Sequence, residues 1–83
     1  MPVSSISKQF GNCVRRHRLA ANLSQEKLAE RAGLHPTYIG MIERGVRNVT
    51  LDVAFRIAKA LKISLPKLII ESQQKGIGPG RNA

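Results

Sequence analysis

The sequence predicts an all-α fold, a compact bundle of five short helices. Three observations carry this. Apolar residues recur at three- and four-residue spacings in five successive stretches. Each stretch is bracketed by residues that start or stop helices. The aromatic complement is two Phe, one Tyr and no Trp. The core must therefore be built from Leu, Ile, Val and Ala, as in small helical bundles. At 83 residues the chain suits one domain.

The elements follow in order. Residues 1–5 read as a short polar arm, residues 6–73 as the folded domain and residues 74–83 as a flexible tail. The first helix is expected from about Ile6 to Ala21, with Ile6, Phe10, Val14 and His17 marking one face. Asn22 stops it, because Asn tolerates left-handed backbone at a helix end. Ser24 caps a second helix, about Gln25 to Ala32, whose inner stripe is Leu28, Ala29 and Ala32. Gly33 breaks it and Leu34 follows as the buried residue of the turn. His35 is the cap and Pro36 the first residue of a third helix, where a missing N–H does no harm. Tyr38, Ile39 and Ile42 form its apolar side, and Gly45 ends it.

Thr50 caps a fourth helix, about Leu51 to Leu61, with Leu51, Ala54, Phe55, Ala58 and Leu61 on one face. Ser64 caps a fifth, about Leu65 to Gln73, with Leu65, Leu68 and Ile69 inward. From Gln74 onward, Gly76, Gly78, Pro79 and Gly80 oppose helix, so the tail is expected to be disordered.

Charge narrows the function. Fourteen Lys and Arg face five Asp and Glu, a net charge of +9 and a pI near 11.0. Such a field attracts polyanions. Cys13 is the only cysteine, which excludes an internal disulfide and a cysteine-based zinc finger. Cys13 and His17, four apart on a helix, offer two metal ligands. Two do not make a zinc site, so neither metal nor cofactor is expected. Glu26 and Glu30 lie on a solvated helix face, and no nucleophile–base set is visible, so no enzyme is expected. The chain has neither an apolar run of transmembrane length nor the blocks of a signal peptide. A cytoplasmic location without membrane contact is expected.

The stretch QEKLAERAGLHPTYIGMIER, Gln25 to Arg44, meets the joint demands of a helix-turn-helix. Ala29 lets two backbones approach at the helix crossing. Gly33 opens the turn and Leu34 plugs it. Ile39 and Ile42, three apart, point inward from the second helix. An ordinary helical hairpin would explain each residue singly but not the spacing of all of them. The outward positions are then Pro36, Thr37, Gly40, Met41 and Arg44. Thr37 can hydrogen-bond a base edge or touch a thymine methyl, and Met41 can make apolar contact. Gln25 opens the first of the two helices, where its amide and free backbone N–H groups suit a phosphate.

LSQEKLAERAGLHPTYIGMIERGVRN resembles the phage repressor and Cro-like, or XRE, family of lambda-repressor-like DNA-binding domains. Within it, TYI…IERGVRN looks most like the controller proteins of restriction–modification systems. The resemblance implies a recognition helix, about 36–44, in the major groove. Where family members usually carry a polar reader, this chain has Pro36, which has no side-chain donor. Tyr38 and Arg47 match controller-protein positions that approach DNA. Arg47 is open to two roles, bidentate guanine reader or phosphate clamp. Arg44, Asn48 and Thr50 are expected at phosphates, and Arg18 and Glu43 form the family's structural ion pair.

A sequence-specific transcriptional regulator, dimeric on a palindromic operator, is therefore expected. A single recognition helix reads few base pairs, and two half-sites supply affinity. Leu68, Ile69 and Ile70 are consecutive and cannot all face one small core, so they are the expected dimer surface. No small-molecule effector is expected, since no second domain is available to hold one. The alternative is an antitoxin or adaptor that keeps the fold for protein interaction.

Overall fold

A computed structural model describes residues 3–75. Each helix within it begins at a side chain that accepts a hydrogen bond from a first-turn backbone N–H. Ser4 accepts from Ser7 (3.2 Å) and opens α1, Ser5–Ala20. Ser24 accepts from Lys27 (2.9 Å) and opens α2, Gln25–Ala32. The Nδ1 of His35 accepts from Thr37 (3.1 Å) and opens α3, Pro36–Glu43. Thr50 accepts from Val53 (3.1 Å) before α4, Leu51–Ala60, and Ser64 from Lys67 (3.3 Å) before α5, Leu65–Lys75. These caps satisfy donors that have no partner within a helix. Left-handed backbone at Asn22, Gly33, Gly45 and Lys62 ends the intervening helices.

The core is aliphatic. Val14, Leu28, Ile39, Ile42, Ile57 and Leu68, one or two from each helix, are fully buried. Ala29 and Ala32 are buried on α2. The chain leaves α2 through Gly33 (φ +69°), and the Leu34 N–H donates to the Ala29 carbonyl at 2.9 Å. Leu34 packs partly buried against the core.

Helix α1 crosses α3 at Gly11. A Cβ there would stand 1.9 Å from the Ile42 carbonyl oxygen, so the two backbones are in contact. Composition and periodicity give no sign of this demand. Cys13, likewise unassigned by periodicity, is buried beside Val14.

Several expectations are corrected. Ile6, Leu51 and Phe55 do not face inward: their exposures are 43%, 80% and 55%. Helix α4 carries apolar residues around most of its circumference, and the side bearing Ala54, Ile57, Ala58 and Ala60, with Val53 partly buried, meets the core. Leu68 is wholly inside the protomer and has no surface to offer a partner. Ile69 is half-buried and Ile70 is 51% exposed. Gly40 is buried rather than outward, because the Gln25 and Arg44 side chains cover it. Ser5 belongs to α1, and α5 runs through Gln74 and Lys75, where Gln and Lys sustain a helix well. The rest of the expected tail, residues 76–83, lies outside the described residues, as do residues 1 and 2.

Candidate nucleic-acid interface

Helix α3 is held from behind by a buried carboxylate. Glu43 accepts from Arg18 Nε at 2.7 Å and from a terminal Arg18 nitrogen at 3.0 Å. It also accepts from Gln25 Nε2 at 3.0 Å. The other Arg18 terminal nitrogen donates to the Leu23 carbonyl at 2.8 Å. One ion pair thus joins α1, the α1–α2 loop, the start of α2 and the end of α3. Hydrogen bonding to Glu43 raises the Arg18 pKa above its usual value, against an opposing effect of burial. The paired groups are 9% and 2% exposed, so this is an interior contact rather than a surface pair.

On the outer side of α3, three of the four expected base-contact residues form one unit. The Arg47 guanidinium lies over the Tyr38 ring, 5.2 Å from its centroid. One of its nitrogens is 3.9 Å from the Met41 sulfur. Tyr38 and Met41 are on successive turns of α3, whereas Arg47 comes from the loop beyond Gly45. The cation–π contact holds a long side chain that would otherwise sample many rotamers. Thr37 is exposed, next to Tyr38, and its hydroxyl meets no hydrogen-bond partner among the described residues.

The expected phosphate ligands sit at helix starts or in loops with donors to spare. Thr50 uses an oxygen lone pair for its cap, which leaves the O–H free to donate. Asn48 accepts from the Ser4 N–H through Oδ1 at 3.0 Å, leaving its NH2 group. Gln25 commits one N–H to Glu43 and retains the second. Arg44 is exposed at the α3 C-cap. Helices α2 and α4 add the positive ends of their dipoles. These positions leave N–H and O–H donors and a cation at helix starts, at the α3 C-cap and in the loop after it.

A second cluster lies away from this face. His17 Nε2 meets Glu71 Oε1 at 2.7 Å, joining α1 to α5. That hydrogen bond, with the nearby charges of His17, Lys67 and Arg16, holds the Glu71 carboxyl below its ordinary pKa against an opposing effect of burial. Nothing local in the sequence links positions 17 and 71, so the identity of this partner is set by the packing of α1 against α5.

Comparison with known proteins bears on the family and the fold. The helix-turn-helix family HTH_3 matches residues 14–68. Control protein C.SmaI from Serratia marcescens is 59% identical over 56 residues, 68% of this chain and 67% of its own length. Control protein C.BamHI from Bacillus amyloliquefaciens is 49% identical over 69 residues, 82% and 84% of the two chains. Among solved structures, the restriction-modification controller protein C.AhdI from Aeromonas hydrophila superposes with a TM-score of 0.74. It has 42% identity and covers 78% of this chain and 98% of its own. Fold, motif and relatives agree, and the chain belongs to the XRE-type helix-turn-helix family of DNA-binding transcriptional regulators.

Proposed function

We propose that this protein is a controller-type regulator that binds a palindromic operator as a homodimer, with α3 in the major groove. The observation that carries the reading is the Tyr38–Met41–Arg47 unit beside exposed Thr37 on the outer side of α3. These side chains supply the chemistry that reads a major-groove edge: a hydroxyl, a guanidinium and an apolar contact for a thymine methyl. Around them, Gln25, Arg44, Asn48 and Thr50 retain donors suited to phosphate oxygens. The Arg18–Glu43 pair fixes the helix that presents the readers. The relatives named as controller proteins support a place in a restriction–modification system.

The dimer surface combines α4 and α5. Leu51 and Phe55, one turn apart, expose their side chains on α4. Leu51 and Ile69 line the same apolar cleft with Ile6, and Ile70 is exposed beside Ile69. Large apolar side chains grouped on a soluble protein mark an interaction surface. Ile69 and Ile70 keep the role expected of them, and Leu51 and Phe55 join them. Leu68 supports the surface from within.

Selection of bound duplexes from a random pool tests the reading. A palindromic consensus with two half-sites about one helical turn apart, or a multiple of it, is the expected result. Failure to enrich any sequence would overturn it and favour a protein-interaction module.

A further inference from the structure

We propose that Cys13, His17 and Glu71 form a binding site for a thiophilic divalent metal ion of the Zn2+ class, bridging α1 and α5. Cys13 and His17 alone are two ligands. The fold adds a third from 54 residues beyond His17. The Sγ of Cys13, a ring nitrogen of His17 and a carboxylate oxygen of Glu71 lie within 4.8 Å of one another. Tetrahedral zinc with bond lengths of about 2.0–2.3 Å separates its ligand atoms by roughly 3.3–3.8 Å. The set therefore reaches metal geometry by side-chain adjustments of about an ångström. The His17–Glu71 contact opens from 2.7 Å, and the sulfur draws in.

The donors suit that class of ion. Thiolate and imidazole select zinc-like metals over magnesium or calcium. The thiol is only weakly committed: its Sγ donates a long 3.9 Å hydrogen bond to the Leu68 carbonyl, which also accepts a 2.7 Å hydrogen bond from the Ser72 hydroxyl. The sulfur is shut off from solvent, whereas His17 and Glu71 border an open depression with Arg16 and Ala20. An ion enters from that side, and water completes the fourth position. Binding replaces the thiol proton, which leaves to solvent, and displaces any proton on the bonding imidazole nitrogen. Thiolate and carboxylate together balance the ion's two charges, which matters beside Arg16 and Lys67. The bound ion pins α5, the helix that carries Ile69 and Ile70, to α1.

Co2+ titrated into the full chain, without DNA and under reducing conditions, tests this. The expected result is saturation at one ion per chain. Four-coordinate d–d bands and a thiolate-to-cobalt charge-transfer band should appear, and Zn2+ should bleach both. Glu71→Gln, on a partly exposed side chain, should weaken binding at least tenfold, and Cys13→Ala should abolish the charge-transfer band. Circular dichroism of each variant confirms that it folds. The proposal is overturned if a folded wild-type chain shows no charge-transfer band, or if Glu71→Gln leaves the affinity unchanged. In the first case the cluster is a His–Glu hydrogen bond and nothing more; in the second, Glu71 is not a ligand and the three-residue site fails. DNA binding is not part of this readout, so its outcome is independent of the operator-binding reading.

Discussion

Arg18 meets Glu43 through two hydrogen bonds, 2.7 and 3.0 Å long, between groups that are almost shielded from water. Such a pair adds little net stability over well-packed apolar residues, but removing one member strands the other's charge in the interior. Arg18→Met should therefore lower unfolding free energy by about 3–5 kcal/mol. The double substitution Arg18→Met, Glu43→Leu should recover most of it. Urea denaturation of the single and double variants checks this. In the double variant, specific DNA affinity should stay low despite the recovered stability, because α3 has lost the tie that orients it.

Two glycines in helices should respond to alanine with opposite signs. Replacing a helix-interior glycine ordinarily gains about 1 kcal/mol. At Gly40 the added Cβ would stand 3.4 Å from Arg44 and 3.6 Å from Gln25 side-chain atoms, so Gly40→Ala should raise the melting temperature by a few degrees. At Gly11 it would meet the Ile42 carbonyl at 1.9 Å, and backbone cannot yield as a side chain does. Gly11→Ala should destabilise by about 1–3 kcal/mol or more despite the better propensity. Thermal melts of the two variants side by side give the answer.

Thr50 accepts a hydrogen bond as N-cap of α4, and the phosphate contact proposed for it requires the same hydroxyl to donate one. Asp caps as well as Thr does, yet its charge repels phosphate. Thr50→Asp should leave stability within about 0.5 kcal/mol of the parent while weakening binding to all duplexes. Thr50→Val should lose about 1 kcal/mol of stability as well. Denaturation and gel shift on specific and random DNA separate the two effects.

Thr37→Ala and Arg47→Ala should weaken specific binding more than random-DNA binding, each by about 1–3 kcal/mol if they contact bases. Arg47 rests on the Tyr38 ring, so Tyr38→Ala should reproduce part of the Arg47→Ala loss and Tyr38→Phe should not. Equal losses on both duplexes at Arg47, with a shallower salt dependence, would assign it to a phosphate.

Phe55→Asp and Leu68→Ala should separate assembly from folding. Phe55 is exposed and Leu68 is sealed in the core. Phe55→Asp should sediment as a monomer at about 100 μM, while a dimer of micromolar Kd persists for the parent. Leu68→Ala should lower stability by about 2–5 kcal/mol through the cavity it leaves. A parent chain that is monomeric at that concentration would sink the dimer.

What the sequence alone determined is local. Ser24, His35, Pro36, Gly33, Asn22 and Thr50 act on backbone within a few residues, so their capping and turn roles were legible, and α2 lies where they place it. The helix-turn-helix spacing and the Arg18–Glu43 partnership were legible too, the latter through resemblance. Tertiary structure decided what depends on distant atoms. Helix α4 has more apolar residues than one face can hold, and periodicity cannot say which stripe meets the core. Packing chose Ile57 and turned Leu51 and Phe55 outward. Gly11 faces a carbonyl 31 positions away, His17 reaches Glu71 across 54, and Arg47 comes back over Tyr38. These pairings exist because five short helices must share one small core. Helix-to-helix geometry, unlike a cap or a turn, is set by the fit of all side chains at once.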